Sequence, residues 1–301
     1  MRFICLPFFA LMPLISLAQQ QPDTSFTINI DTPYYEAGEG PVICFDSAHN
    51  NFHTLNGGFA PTAYILRKDG YQTVAFPEPA EDEKKLETCD IYLTVNPLHK
   101  SNLGNWQLPN PPVYSDQEVD TIRDWVDKGG RLFLIADHMP FPGAASSLAK
   151  AFGFEFSNGF AQLNKEGNTP DIFSLENDRL KPSAVTDGIT SVTSFTGSAF
   201  KYPSKASPVM VFKEGDRSLE PEIAWQFSDT TKTVDLTGYT QGAIMEYGEG
   251  RLAVFGEAAM FTAQKITNAQ GEFKFGLNNE NLAPQNLQFL LNIIHWLDEG
   301  R

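Results

Sequence analysis

The chain has 301 residues, of which 42% are hydrophobic and 20% charged, with a formal net charge of -15. That length buries a full core in one large domain or two modest ones, and the composition is that of a globular protein. The acid excess argues against a nucleic-acid backbone or an anionic membrane surface as the main partner.

The first residues, MRFICLPFFALMPLISLAQQQP, combine one early arginine with a short apolar run and the small residues Ser16-Leu17-Ala18. This pattern predicts a signal peptide over residues 1–18, cut after Ala18, and so a secreted or periplasmic protein. The run is short for a membrane span, and no other segment reads as a transmembrane anchor. Cys44 and Cys89 remain after cleavage. A disulfide suits an exported chain, and burial as reduced thiols is equally consistent, because free cysteine packs as a small hydrophobe. Without a CxxC pair, a thiolate zinc site is not expected.

Residues 19–39 read as an extended lead-in in which SFTINI adds an edge strand. An apolar run at 41–45 predicts the first buried strand. It opens into the polar loop DSAHNNFH, closed by Gly57 and Gly58. Helical spacing follows over 59–68, with Pro61 tolerated in the first turn. Strands are predicted at 71–76 and 90–95, separated by an acidic stretch with a short helix. Residues 100–114 form a long loop. Ser115 with Glu118 three residues on is a capping-box signature for a helix over 116–128. A strand at 131–136 runs into Asp137-His138, followed by a helix at 143–152. The alternation indicates a mostly parallel sheet with helices on both faces. Residues 155–240 are Ser/Thr/Asn/Pro-rich with short strands such as 207–212 and 222–227, and read as a β-rich insertion. A hairpin over 241–255 and an amphipathic helix over 281–297 complete the chain.

In a parallel sheet the C-terminal strand ends share one edge, where ligands bind. That edge would gather Asp46, Ser47, His49, Asn51 and His53 from the first strand and Asn96 and His99 from the third. Asp137 and His138 would come from the fourth, and Glu257 from the late strand. His295 lies in the terminal helix and reads as structural. Three accounts fit the cluster. A divalent metal such as zinc would use His49, His53, His138 and Asp137, the first two sharing a face if their loop is helical. A polar pocket would bind a small polyol or sugar. Alternatively the histidines only bond ordered loops. No GxSxG elbow, HExxH or phosphate loop is present.

The segment GGRLFLIADHMPFPGAASSLAKAFGFEF resembles the nucleophile-elbow region of class I glutamine amidotransferase-like domains. Its turn carries Asp137 and His138 where those domains carry cysteine, and GEAAMF keeps only Glu257 of their later partners. This implies that thiol-dependent glutamine hydrolysis is absent. DSAHNNFHTLNGGFAPTAYILRKDGY, the ADHMPFPG turn and NLQFLLNIIHWL resemble a bacterial family of unknown function. That family is related to the gliding-motility and intraflagellar-transport (GIFT) domains and to ThuA-like proteins. The resemblance covers about residues 40–155 and 240–298. It implies an α/β three-layer sandwich of the amidotransferase-like, flavodoxin-like type, as a single domain over 19–301 with an insertion at about 155–240.

The leading expectation is an exported domain that binds or processes a carbohydrate-like ligand at the strand edge, lined by Asp46, His49, His53, Asp137, His138 and Glu257. In an enzyme, Asp137 or Glu257 would act as general base and a histidine as acid. The alternatives are a metal-dependent hydrolase on the same residues and a non-catalytic interaction module of the cell envelope.

Overall fold

The computed structural model describes residues 20–165, 169–268 and 271–299. The expected signal peptide lies outside them. Among the described residues, no helix is long and apolar enough to cross a membrane.

A nine-stranded sheet organises the chain. Its strands are β1 (Val42–Asp46), β2 (Gln72–Phe76), β3 (Ile91–Val95), β4 (Arg131–Ile135), β5 (Glu155–Ser157), β6 (Ala199–Lys201), β7 (Ser207–Val211), β8 (Thr240–Tyr247) and β9 (Gly250–Phe255). The order is β2-β1-β3-β4-β9-β8-β6-β5, with β7 also paired to β8. Strands β2, β1, β3, β4 and β9 are mutually parallel, and the remaining pairings are antiparallel. The connection direction reverses between β1 and β3, which opens a crevice at their C-terminal ends.

The helices are α1 (Ala60–Lys68), α2 (Glu83–Leu86), α3 (Asp116–Asp127), α4 (Phe141–Ala151) and α5 (Asn286–Asp298). Period-two alternation divides the apolar residues between two faces. Ile43, Phe45, Leu93, Phe133 and Phe255 pack with Ile65 of α1 and Phe289 of α5. Cys44, Tyr92, Leu132 and Leu134 pack with Ile122 of α3 and Leu148 of α4. The protein is therefore a mixed α/β fold with a mostly parallel central sheet and helices on both faces.

Cys44 and Cys89 are joined in a disulfide, with their Cα atoms 5.6 Å apart. This settles the pairing that the sequence left open, and it links β1 to the turn before β3. Two expected strands are absent. SFTINI docks Phe26, Ile28 and Ile30 on the core but finds no partner strand. Gln20–Pro22 instead pairs with Ala263–Asn268 in a separate sheet with Gly271–Gly276. At 222–227 the chain turns, because Trp225 adopts a left-handed φ of 67°, and only Ile223 bridges, to Gln107. In the 155–240 stretch, β5, β6 and β7 join the main sheet. Phe160–Gln162, Arg217–Glu220 and Lys232–Asp235 form a small antiparallel sheet, and Asp171–Ser174 pairs with Ser191–Ser194.

Candidate functional site

The six expected residues all lie at the C-terminal edge and are all buried. Among the described residues they form two sets that share no hydrogen-bond or ring-contact partner.

The first set is Asp46 and His49, joined by Glu118. His49 Nδ1 lies 2.9 Å from both carboxylate oxygens of Asp46, and its Nε2 lies 2.8 Å from Glu118 Oε1. A carboxylate can only accept, so both ring nitrogens donate and the ring is an imidazolium. Burial lowers the His49 pKa, but the hydrogen bonds and charges of Asp46 and Glu118 outweigh it and raise it to about 9. Burial pushes the Asp46 carboxyl up. The His49 contact, with help from Thr94 and Asn51, brings it below the ordinary value instead. Glu118 behaves likewise, since burial is outweighed by His49 and by backbone N–H donors.

Local sequence explains the geometry. Glu118 closes the capping box of α3, accepting from Ser115 N at 2.9 Å, and also accepts from Ala80 N at 3.1 Å. Asp46 accepts from Thr94 Oγ1 at 2.7 Å, Tyr114 OH at 3.2 Å and Ala48 N at 3.1 Å. Every hydrogen-bonding position of His49 is taken, leaving no lone pair for a metal. The Asp46–His49–Glu118 bridge ties β1, the following loop and the start of α3 together.

The second set is His53, Asp137, His138 and Glu257. The loop carrying both His49 and His53 is not helical. The expected shared face of these rings is therefore absent, and His53 lies between the Phe52 and Phe59 rings. Burial, and then the nearby His138, push its pKa down to about 3, so it is neutral. Among the described residues its Nδ1 has no hydrogen-bond partner. A Cβ on Gly58 would fall 1.9 Å from that nitrogen, so only glycine admits the ring here.

His138 Nδ1 lies 2.7 Å from the Met139 carbonyl oxygen, to which it donates. The ring stacks on Phe160 at 4.6 Å and meets Trp225 edge-on at 4.7 Å. Asp137 accepts from the His138 backbone N–H at 2.7 Å. Asn96, at a left-handed φ of 49°, accepts from Asp137 N and bonds Phe52 N through its carbonyl, so it joins three strand-end loops. Glu257 is fully buried. Its oxygens accept from Ala259 N at 2.8 Å and Met260 N at 2.7 Å. Burial, then the adjacent Asp137, push its pKa well above the ordinary carboxylate value despite those donors. Glu257 holds the turn that follows β9.

His99 caps the turn at Lys100–Asn102, and His295 bonds Asp69 at 2.6 Å against the Tyr34 ring, so both are structural. Among the described residues, no group of three or more His, Cys, Asp or Glu side chains could hold a metal ion.

Sequence reasoning missed the roof of the site. The 105–108 loop and the 222–224 segment are zipped together by Ala224 N to Trp106 O (2.8 Å) and Leu108 N to Glu222 O (2.9 Å). They bring Trp106 and Trp225 to the His138 ring. Two clefts flank this wall. One, of about 590 Å³, is lined by Trp225, Phe227, Gln162, Asn164 and Arg217 among others. The second, of about 680 Å³, is lined by Asn51, Phe52 and Trp106 among others. None of the six expected residues lines either cleft; all are buried, and His53 and His138 touch the lining rings Phe52 and Trp225. The exposed aromatics Phe52, Trp225 and Phe227 face solvent here. The only signal for them in the sequence was the density of Trp and Phe in these loops.

No family model matches the sequence, and no curated protein matches it significantly. Several solved structures are similar. The mmIFT52 N-terminal domain is similar with a TM-score of 0.58 at 14% identity, over 86% of this chain and 98% of that one. A cytoplasmic protein from Salmonella typhimurium LT2 scores 0.49 at 12% identity, covering 85% and 98%. A ThuA-like protein from Bacteroides uniformis scores 0.46 at 11% identity, covering 90% and 94%. The expected relation to GIFT domains thus holds at the level of the fold, and the ThuA-like protein is a weaker match.

Proposed function

We propose that this protein is an exported, amidotransferase-like domain without the amidotransferase cysteine, and that it binds a carbohydrate-like ligand at the C-terminal edge of its sheet. The observation that carries the reading is the aromatic wall of Phe52, Trp225 and Phe227, set beside the cleft that holds Gln162 and Asn164. Flat apolar rings next to amide groups match the alternating C–H faces and hydroxyl edges of a sugar. Trp225 is 54% exposed and held in a left-handed conformation, a cost that packing alone does not require of a surface tryptophan. Binding is favoured over turnover, because Asp137 and His138 stand behind the wall, away from the cleft.

Calorimetric titration with a panel of monosaccharides and disaccharides is expected to give saturable binding. Trp225→Ala should weaken it at least tenfold, since a stacked aromatic contributes about 1 kcal/mol or more beyond its area. A panel with no binder, or an unaffected Trp225→Ala, sinks the reading. The disulfide supports export, because such bonds persist in oxidising compartments. N-terminal sequencing of protein recovered from the host cell is expected to start at Gln19. Retention of Met1 on a cytosolic product would overturn the export proposal.

A further inference from the structure

Arg217 faces the same cleft as Trp225 and makes no ion pair among the described residues. It lies opposite Gln162 in the small antiparallel sheet, so the two side chains share a face, with Leu219 and Phe160 one step along. Asp235 sits opposite it on the other neighbouring strand but accepts from Thr237 N at 2.9 Å instead. The other cation of the cleft, Lys165, is paired with Asp171. Lys165 and Asp171 cancel, so the described residues lining the cleft carry one net positive charge on a chain of net charge -15.

The surrounding support is built in. Asp216 is 1% exposed and bonds Arg179 Nη2 at 3.0 Å, Lys213 N at 2.7 Å and Asn164 N at 2.7 Å. The backbone of Asn164 is therefore held in place. A Cβ on Gly215 would meet its amide nitrogen at 2.8 Å. The Asn164 and Gln162 amides and an uncommitted guanidinium line the cleft together with the Trp225 and Phe227 rings. A guanidinium binds a carboxylate through two parallel hydrogen bonds.

We propose that the cleft recognises an acidic saccharide, with Arg217 pairing the sugar carboxylate, Gln162 and Asn164 taking hydroxyls, and Trp225 stacking on the ring. This rests on the carbohydrate reading and narrows it to uronic acids over their neutral counterparts. A charge-assisted guanidinium–carboxylate contact in the cleft favours the acid by about tenfold or more.

The test is titration of the mature chain and of Arg217→Gln with glucuronate, galacturonate, glucose, galactose and acetate, in low salt and at 0.3 M NaCl. The expected result is binding of at least one uronate, at least tenfold tighter than its neutral sugar and weakened by salt. Arg217→Gln should erase that preference, weakening the uronate at least tenfold relative to its neutral sugar. Circular dichroism should show the variant folded, because Arg217 is an exposed side chain. Equal binding of acid and neutral sugars overturns the inference and leaves the carbohydrate reading standing, as does a uronate preference that survives Arg217→Gln. Acetate binding as tightly as the uronates marks a simple anion site and overturns it too. Absence of any sugar binding fails both readings together.

Discussion

His49→Ala is expected to destabilise the protein by roughly 3–5 kcal/mol, because it strands two buried carboxylates without their cation. Asp46 is 1% exposed and Glu118 is 3% exposed, so water cannot substitute for the ring. Glu118→Gln should cost less, since it preserves the shape of the capping box and leaves the Asp46–His49 pair intact. The same bridge sets a pH dependence. The His49 pKa is raised from 6.5 to about 9, so its contribution is complete below about 6.5 and is lost as pH rises through about 9. That displacement corresponds to about 3 kcal/mol, shared among the three residues and not to be added to the cost of the substitution. On the acid side, the lowered pKa values of Asp46 and Glu118 place their contribution above the ordinary carboxylate range, and it is lost as pH falls through their folded values. Urea unfolding of wild type and His49→Ala across pH 5–10 reads both effects. The two curves should converge toward pH 10, and a constant gap would contradict an imidazolium at the bridge.

Loss of the Cys44–Cys89 bond has the second large effect. The cross-link closes a segment with a sequence separation of 45. Constraining such a loop in the unfolded chain stabilises the fold by about 4 kcal/mol on the chain-entropy account. The double variant Cys44→Ala/Cys89→Ala should unfold at correspondingly lower denaturant, with Tm down by roughly 10 °C. Reductant should lower the stability of the wild type and leave the variant unchanged. Thiol titration of the denatured, unreduced mature protein should find no free thiol. Two titratable thiols with unaltered stability would remove the cross-link from the account.

How far the sequence reached can be judged on particular residues. Strand β1, the capping box at Ser115 and Glu118, and the clustering of strand ends on one edge were legible, because each depends on periodicity or short-range pairing. The partner of His49 was not. Glu118 is 69 residues away, and its local role as a capping residue gave no hint that its other oxygen reaches the loop after β1. His49 and His53 look equivalent in HNNFH, yet one becomes a charged bridge and the other a neutral ring held between phenylalanines. Burial with carboxylates or without them decides which, and burial is a property of the packed chain.

DSAHNNFH and ADH told from sequence alone that polar groups gather at the edge of a mostly parallel sheet. They did not tell which groups a ligand could touch. Trp225 read as part of a strand, and its left-handed backbone placed it instead on the wall over His138. Likewise, Arg217 and Gln162 meet only through the pairing of strands 55 positions apart. Apolar alternation and caps are written within a few residues of chain, so the elements follow from the sequence. The sorting of six similar polar residues into a buried base, and of loop aromatics into an exposed wall, depends on contacts between distant segments and is decided only when they pack.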